Sequence, residues 1–340
     1  MSNLNGFTLM AFIAALSVLA ASCSRDDGGL PFGRAEVVFE TATPTKAAVT
    51  VHEADILSLD LLVFRADNGA LDTYKRVSGG TSVSADLPVG VAVRYHVVAN
   101  APAGVLKGFA DETSFLTART YLYESTALSL LMHGGGVFTV TDGAPPVPVS
   151  LDRYVSKVSV RSIEVKWIDG FVTPPSVSVG CVALINALGE QPWSGTPATG
   201  SLWYNKMGVV HENDGSAATA NVMDMVCATY GLTVSSSAAV TLDGALYAMP
   251  NPASNSVNSS THPDWSVRNT RVALELIVDG ISNWYAVDLP SMQGNRHYVV
   301  TKMIVLGPGS DSPDIPISRS QIEFSLVVAE WEDIETDVLF

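Results

Sequence analysis

The apolar residues of this chain fall into short runs rich in Val, Leu, Ile, Thr and Tyr, and that brevity constrains the fold more than any other feature of the sequence. The runs occupy positions 36–40, 57–64, 92–99, 147–151, 155–165, 177–184, 272–278, 284–289, 297–306 and 324–328. Turn-forming groups separate them, as at Asp67-Asn68-Gly69, Ser78-Gly79-Gly80, Asp169-Gly170 and Asp279-Gly280. Runs of this length, bounded by residues that accept positive φ or start turns, are strands rather than helices. The expected class is all-β, with packed sandwiches. One helix is expected over 112–124, where Asp111 or Ser114 is placed to cap it and Phe115, Leu116 and Leu122 supply an apolar side. A shorter helical turn is expected near 223–230.

The first 24 residues carry no charged side chain, and the apolar run 7–21 is too short to span a bilayer as a mature helix. It reads as the core of a signal peptide, residues 1–22, ending in Leu19-Ala20-Ala21-Ser22-Cys23. Small residues before a cysteine fit the site of a lipoprotein signal peptidase, which makes Cys23 the expected lipidated N-terminus. Ser24-Arg25-Asp26-Asp27 resembles the acidic export signal of Bacteroidales surface lipoproteins.

With the signal removed, about 318 residues remain, more than one core usually organises. The Pro- and Gly-containing stretch 141–146 is the expected boundary between an N-terminal domain, 47–146, and a C-terminal domain, 147–340. Segments 191–216 and 251–264, rich in Gly, Ser, Asn and Pro, are expected to be long surface loops. A net charge of −15 with no basic block speaks against nucleic acid and anionic lipid head groups as partners. Cys181 and Cys227 remain as a candidate disulfide or as two free thiols.

No motif for catalysis or metal binding emerges. His211-Glu212 lacks the second histidine of a zinc-protease motif, and the six histidines have no ligand spacing. Gly307-Pro308-Gly309-Ser310-Asp311 is not a nucleophile elbow, and Gly134-Gly135-Gly136 is not a phosphate loop; both read as turns requiring positive φ. Asp333, Glu335 and Asp337 alternate with Ile334, Thr336 and Val338, as on one exposed face of a strand. The expectation is no enzyme, no cofactor and no metal.

Several segments, in order, resemble the fimbrillin superfamily, the FimA-type pilins of Bacteroidales. They are Leu59-Asp60-Leu61-Leu62-Val63-Phe64 with its polar turn, Tyr95-His96-Val97-Val98-Ala99-Asn100-Ala101, Leu131-Met132-His133-Gly134, and Val149-Ser150-Leu151-Asp152-Arg153-Tyr154-Val155-Ser156-Lys157-Val158. Further on come Leu246-Tyr247-Ala248-Met249-Pro250-Asn251, Thr270-Arg271-Val272 and Asn295-Arg296-His297-Tyr298. Arg153 and Lys157 read as sharing one solvated strand face, with an intersubunit salt bridge as the alternative.

The resemblance implies two transthyretin-like Greek-key sandwich domains and a structural subunit of cell-surface fimbriae that supports adhesion and biofilm formation. It also implies an outer-membrane lipoprotein precursor whose propeptide, 23–46, carries the first strand. Cleavage between Lys46 and Ala47 would release that strand; Lys46 stands where the family has an arginine. Assembly would proceed by donor-strand exchange, with Ile334, Val338 and Phe340 on the inserting face of the donor strand and other fimbrial subunits as partners. The alternatives are an anchor or tip subunit, or a surface carbohydrate-binding lipoprotein using Trp193, Trp203 and Trp265.

Overall fold

A computed structural model of the chain describes residues 33–41, 52–170, 173–198, 200, 202–204, 222–235, 238–254, 267–313, 315, 317 and 321–331. The first strands are β1 (Arg34–Thr41), β2 (Ser58–Arg65), β3 (Leu71–Ser78), β4 (Ser82–Pro88) and β5 (Ala92–Ala99). They are followed by α1 (Glu112–Thr117), β6 (Arg119–Tyr121), β7 (Met132–Thr139), β8 (Val147–Val149) and β9 (Asp152–Arg153). Two sheets result, ordered β4-β1-β8 and β3-β2-β5-β7-β9. Their common core holds Val37 and Phe39 of β1, Leu59, Leu61 and Val63 of β2, Val83, Ala85 and Leu87 of β4, and Val93, Tyr95 and Val97 of β5.

β2 is buried at every position but Arg65, which explains its unbroken apolar run. Its other face, with Leu62 and Phe64, joins the larger core of the second sandwich. Asn100, at φ +64, ends β5 and closes that corner: its side chain accepts from Leu57 N at 2.8 Å and donates to Asp55 O and Leu130 O at 2.8 and 2.9 Å. An Asn is suited to this place because it tolerates a left-handed backbone and bonds nearby main chain.

The second sandwich begins with β10 (Ser156–Val160), β11 (Ser162–Val165), β12 (Val177–Ile185), β13 (Ala187–Leu188), β14 (Glu190–Pro192) and β15 (Trp203–Tyr204). It continues through β16 (Cys227–Thr233), β17 (Val240–Thr241), β18 (Leu246–Ala248), β19 (Arg271–Val278), β20 (Ile281–Asp288), β21 (Arg296–Val305) and β22 (Ile322–Glu330). One sheet runs β17-β11-β21-β10-β18 with β22 on the other side of β21; the other runs β16-β12-β19-β20.

Three local expectations are corrected. The helix expected over 112–124 stops at Thr117, because Ala118 turns extended and 119–121 pairs antiparallel with β14; its first half stands, with Phe115 buried and Asp111 Oδ1 accepting from Ser114 N at 2.8 Å. The run 155–165 is two strands, since Arg161 N donates to Val300 O between β10 and β11 while both lie parallel to β21. The glycines of 134–136 and 307–309 are not positive-φ turns. Gly134–Gly136 lie inside β7, and a Cβ on Gly135 would stand 2.6 Å from Tyr95 O. A Cβ on Gly309 would stand 2.7 Å from Trp284 O. These glycines permit close approach of backbones, a different use of the missing side chain.

Candidate functional site

β1 is the first described strand, and one of its faces is buried. Its sequence alternates, so Ala35, Val37, Phe39 and Thr41 point inward while Arg34, Glu36 and Glu40 are exposed. It lies between two strands, antiparallel to β4 from Arg34↔Pro88 to Glu40↔Ser82 and parallel to β8 from Phe39↔Val147 to Thr41↔Val149. Phe39 is fully buried, its ring 4.9 Å from that of Tyr95 and 5.7 Å from that of Phe138. Removing β1 would unpair β4 and β8 together and open a groove whose deepest point is the Phe39 pocket. Each large side chain so exposed costs about 1.5–3 kcal/mol.

A second constellation gathers at Glu53, in the short helical turn His52–Ala54. The carboxylate is 5 % exposed and accepts from Lys157 Nζ at 3.0 Å, from Trp331 Nε1 at 3.2 Å and from the Tyr247 hydroxyl. Arg153 Nε donates to Glu53 O at 3.1 Å, and its guanidinium lies 4.7 Å from the centre of the Trp331 ring. Burial and the neighbouring carboxylate both push the Tyr247 hydroxyl far up, so it stays a donor. The expectation of a solvated Arg153–Lys157 face is therefore corrected. The two residues sit on β9 and β10 and converge inward on Glu53 and Trp331 of the same chain, Lys157 bonding the Glu53 carboxylate and Arg153 its backbone oxygen.

A third group is a part-buried chain of side chains: Glu112 Oε1 lies 3.1 Å from His96 Nε2, and His96 Nδ1 lies 3.0 Å from His133 Nε2. Desolvation holds His96 low and brings His133 down to about 3, so the pair is neutral at ordinary pH. Among the described residues no group of three or more His, Cys, Asp or Glu could hold a metal ion.

Cys23, Lys46, Ala47, Ile334, Val338 and Phe340 lie outside the described residues, as does Trp265. Cys181 and Cys227 lie on adjacent strands with no disulfide between them and are not opposite one another: Cys181 faces Thr229 and Cys227 faces Ala183. Trp193 and Trp203 are not on a surface loop; they are 0 % and 3 % exposed, and the Trp193 ring stacks on Phe115 at 6.1 Å. What sequence reading missed was Glu53. It belongs to no periodic run, and its partners come from positions 153, 157, 247 and 331.

No protein-family model matches the sequence, and no curated protein does. Solved structures do match. A fimbrilin from Porphyromonas gingivalis superposes with a TM-score of 0.60 at 15 % identity, over 89 % of this chain and 99 % of that one. The fold is fimbrillin-type. A candidate cell adhesion protein from Bacteroides eggerthii gives a TM-score of 0.62 at 17 % identity over 89 % and 97 % of the two chains. A fimbrial assembly protein from Parabacteroides distasonis gives 0.50 at 16 %, over 89 % and 98 %. The fimbrillin-type fold thus extends over both sandwiches, with nearly the whole of each neighbour covered.

Proposed function

We propose that this protein is a structural subunit of a cell-surface fimbria, exported as a lipoprotein on Cys23 and polymerised by donor-strand exchange after cleavage between Lys46 and Ala47. The observation that carries the reading is the placement of β1: the first described strand is also the middle strand of its sheet, with Ala35, Val37 and Phe39 buried on one face. Cutting the chain at 46–47 would leave β1 held by backbone pairing and side-chain burial alone. A strand from another subunit could then replace it by pairing the same amides and carbonyls. The structural neighbours named for fimbriae and adhesion support the same role, with the outer membrane as the place of the precursor and other fimbrial subunits as partners. The proposed donor face is Ile334, Val338 and Phe340. The burial of Trp193 and Trp203 takes two of the three rings from the carbohydrate-binding alternative, the third, Trp265, lying outside the described residues.

The test is to compare producing cells with and without this protein by electron microscopy and to sequence the N-terminus of the fibre subunit. Fibres that vanish with the protein and subunits beginning at Ala47 are the expected result. Subunits that begin at lipidated Cys23 within fibres would overturn the polymerising role in favour of an anchor.

A further inference from the structure

Resting on the strand-replacement reading above, the geometry points to a register for the replacement. We propose that residues 336–340 of a second copy of this chain take the places of 35–39, position for position and in the same direction. The warrant is an internal likeness: Ala35-Glu36-Val37-Val38-Phe39 and Thr336-Asp337-Val338-Leu339-Phe340 share the order small, acidic, Val, aliphatic, Phe.

In β1 that order has a structural meaning. The small residue, the Val and the Phe are the inward positions, 5 %, 1 % and 0 % exposed, while Glu36 is exposed and Val38 is half-buried on the opposite face. A shift of one residue would turn Asp337 and Leu339 inward and is excluded by the pleat. A shift of two keeps the faces but loses the fit. In one sense it drives the Phe340 ring into the space of Val37; in the other it leaves Val338 in a pocket shaped for Phe39 between Tyr95 and Phe138. Overpacking and cavity formation are both unfavourable. Only the unshifted register returns a ring to the ring pocket.

The chain beyond the pentapeptide sets its limit. Ile334 would fall at Gly33, where an added Cβ meets no atom within 4 Å, so its bulk is tolerated without being gripped. Glu335 would fall at Arg34, which lies 3.5 Å from Asp72, so it would bring like charge to that carboxylate. The matched contact is therefore 336–340, with Thr336 joining Val338 and Phe340 as its inward residues and Ile334 continuing the same face beyond the gripped segment.

β4 supplies the ruler for a test. In β1, Val38 stands opposite Ser84, Glu36 opposite Asp86 and Glu40 opposite Ser82. Two full-length chains, both carrying C181A and C227A, are co-expressed: one bears L339C, the other S84C, D86C or S82C. Isolated fibres are oxidised and run without reductant. The expected result is a covalent dimer with S84C, at least tenfold more abundant than with D86C or S82C. A dimer favouring D86C or S82C would overturn the register. Fibres that form without cross-linking to any of the three would overturn 336–340 as the occupant. A chain carrying both L339C and S84C that closes on itself as a monomer would overturn the second copy as its source. Absence of fibres even from the unaltered chain would instead sink the fimbrial reading beneath the proposal.

Discussion

The indole N–H of Trp331 donates to a carboxylate oxygen of Glu53 at 3.2 Å across 278 residues of sequence. Glu53 stands just beyond the proposed cleavage site at 46–47, and Trp331 stands just before the proposed donor segment. The described residues nearest those two stretches therefore meet at one buried carboxylate. Lys157 and Tyr247 complete its hydrogen bonds, and Arg153 lies over the indole.

Removing the carboxylate alone leaves the Lys157 ammonium, whose side chain is 18 % exposed, without its partner. Breaking a buried pair on one side costs about 3–5 kcal/mol, whereas replacing both members with apolar groups is often near neutral. Glu53→Ala should lower unfolding free energy by about 3 kcal/mol in urea, and Glu53→Leu with Lys157→Met should recover at least half. Equal losses in both variants would show that the site is held by packing rather than by charge.

Gly135 and Gly33 separate two uses of glycine. A methyl group on Gly135 would meet Tyr95 O at 2.6 Å, inside the β5–β7 ladder, while one on Gly33 meets nothing within 4 Å. Gly135→Ala should destabilise by about 1–3 kcal/mol, as overpacking does, and Gly33→Ala should shift the thermal midpoint by less than about 1 °C. A neutral Gly135→Ala would mean that β7 moves freely away from β5.

Much of this architecture was legible because strand faces are written locally. Positions 92–99 form β5, and the expected strand at 36–40 lies inside β1, because alternation and an Ala-Asn or Thr ending need no distant information. β3 and β7 were not visible. β3 is half-exposed along most of its length, so its sequence Leu-Asp-Thr-Tyr-Lys-Arg-Val-Ser shows no buried face. In β7 the glycines make room for close neighbours that only the folded chain reveals, main chain at Gly134 and Gly135 and the Tyr95 ring at Gly136. The helix over 112–124 failed for a related reason: pairing of 119–121 with β14 overrode its local preference. Of the candidate site, β1 was legible and Glu53 was not, since a single buried carboxylate has no sequence period.

Cys181 and Cys227 offer a simple chemical check. They occupy adjacent strands but different rungs of the ladder, and Cys181 Sγ lies 3.3 Å from Glu275 Oε2. Alkylation in denaturant without reductant should therefore label both cysteines of protein recovered from an oxidising compartment. A peptide pair joined by a disulfide would mean that the β12–β16 register differs from the one described.

The paired histidines fix a pH dependence. His133 is held down at about 3 and His297 at about 4, first by desolvation, with His96 displaced in the same direction. A depressed histidine is neutral in the folded chain but takes a proton in the unfolded chain below pH 6.5. The unfolded state then binds more protons, so stability must fall as pH drops from about 6.5 towards 4. His133 and His297 each contribute a slope of up to about 1.4 kcal/mol per pH unit in that window. The geometry agrees, because His96 Nδ1 and His133 Nε2 face each other at 3.0 Å, and protonating both rings would set two N–H groups against one another. Urea titrations at pH 7, 6 and 5 should show stability decreasing with acidity, and His133→Gln should remove about one proton from the slope. The same slope in His133→Gln as in the unaltered chain would place the acid-sensitive group elsewhere, with His297 next to be replaced.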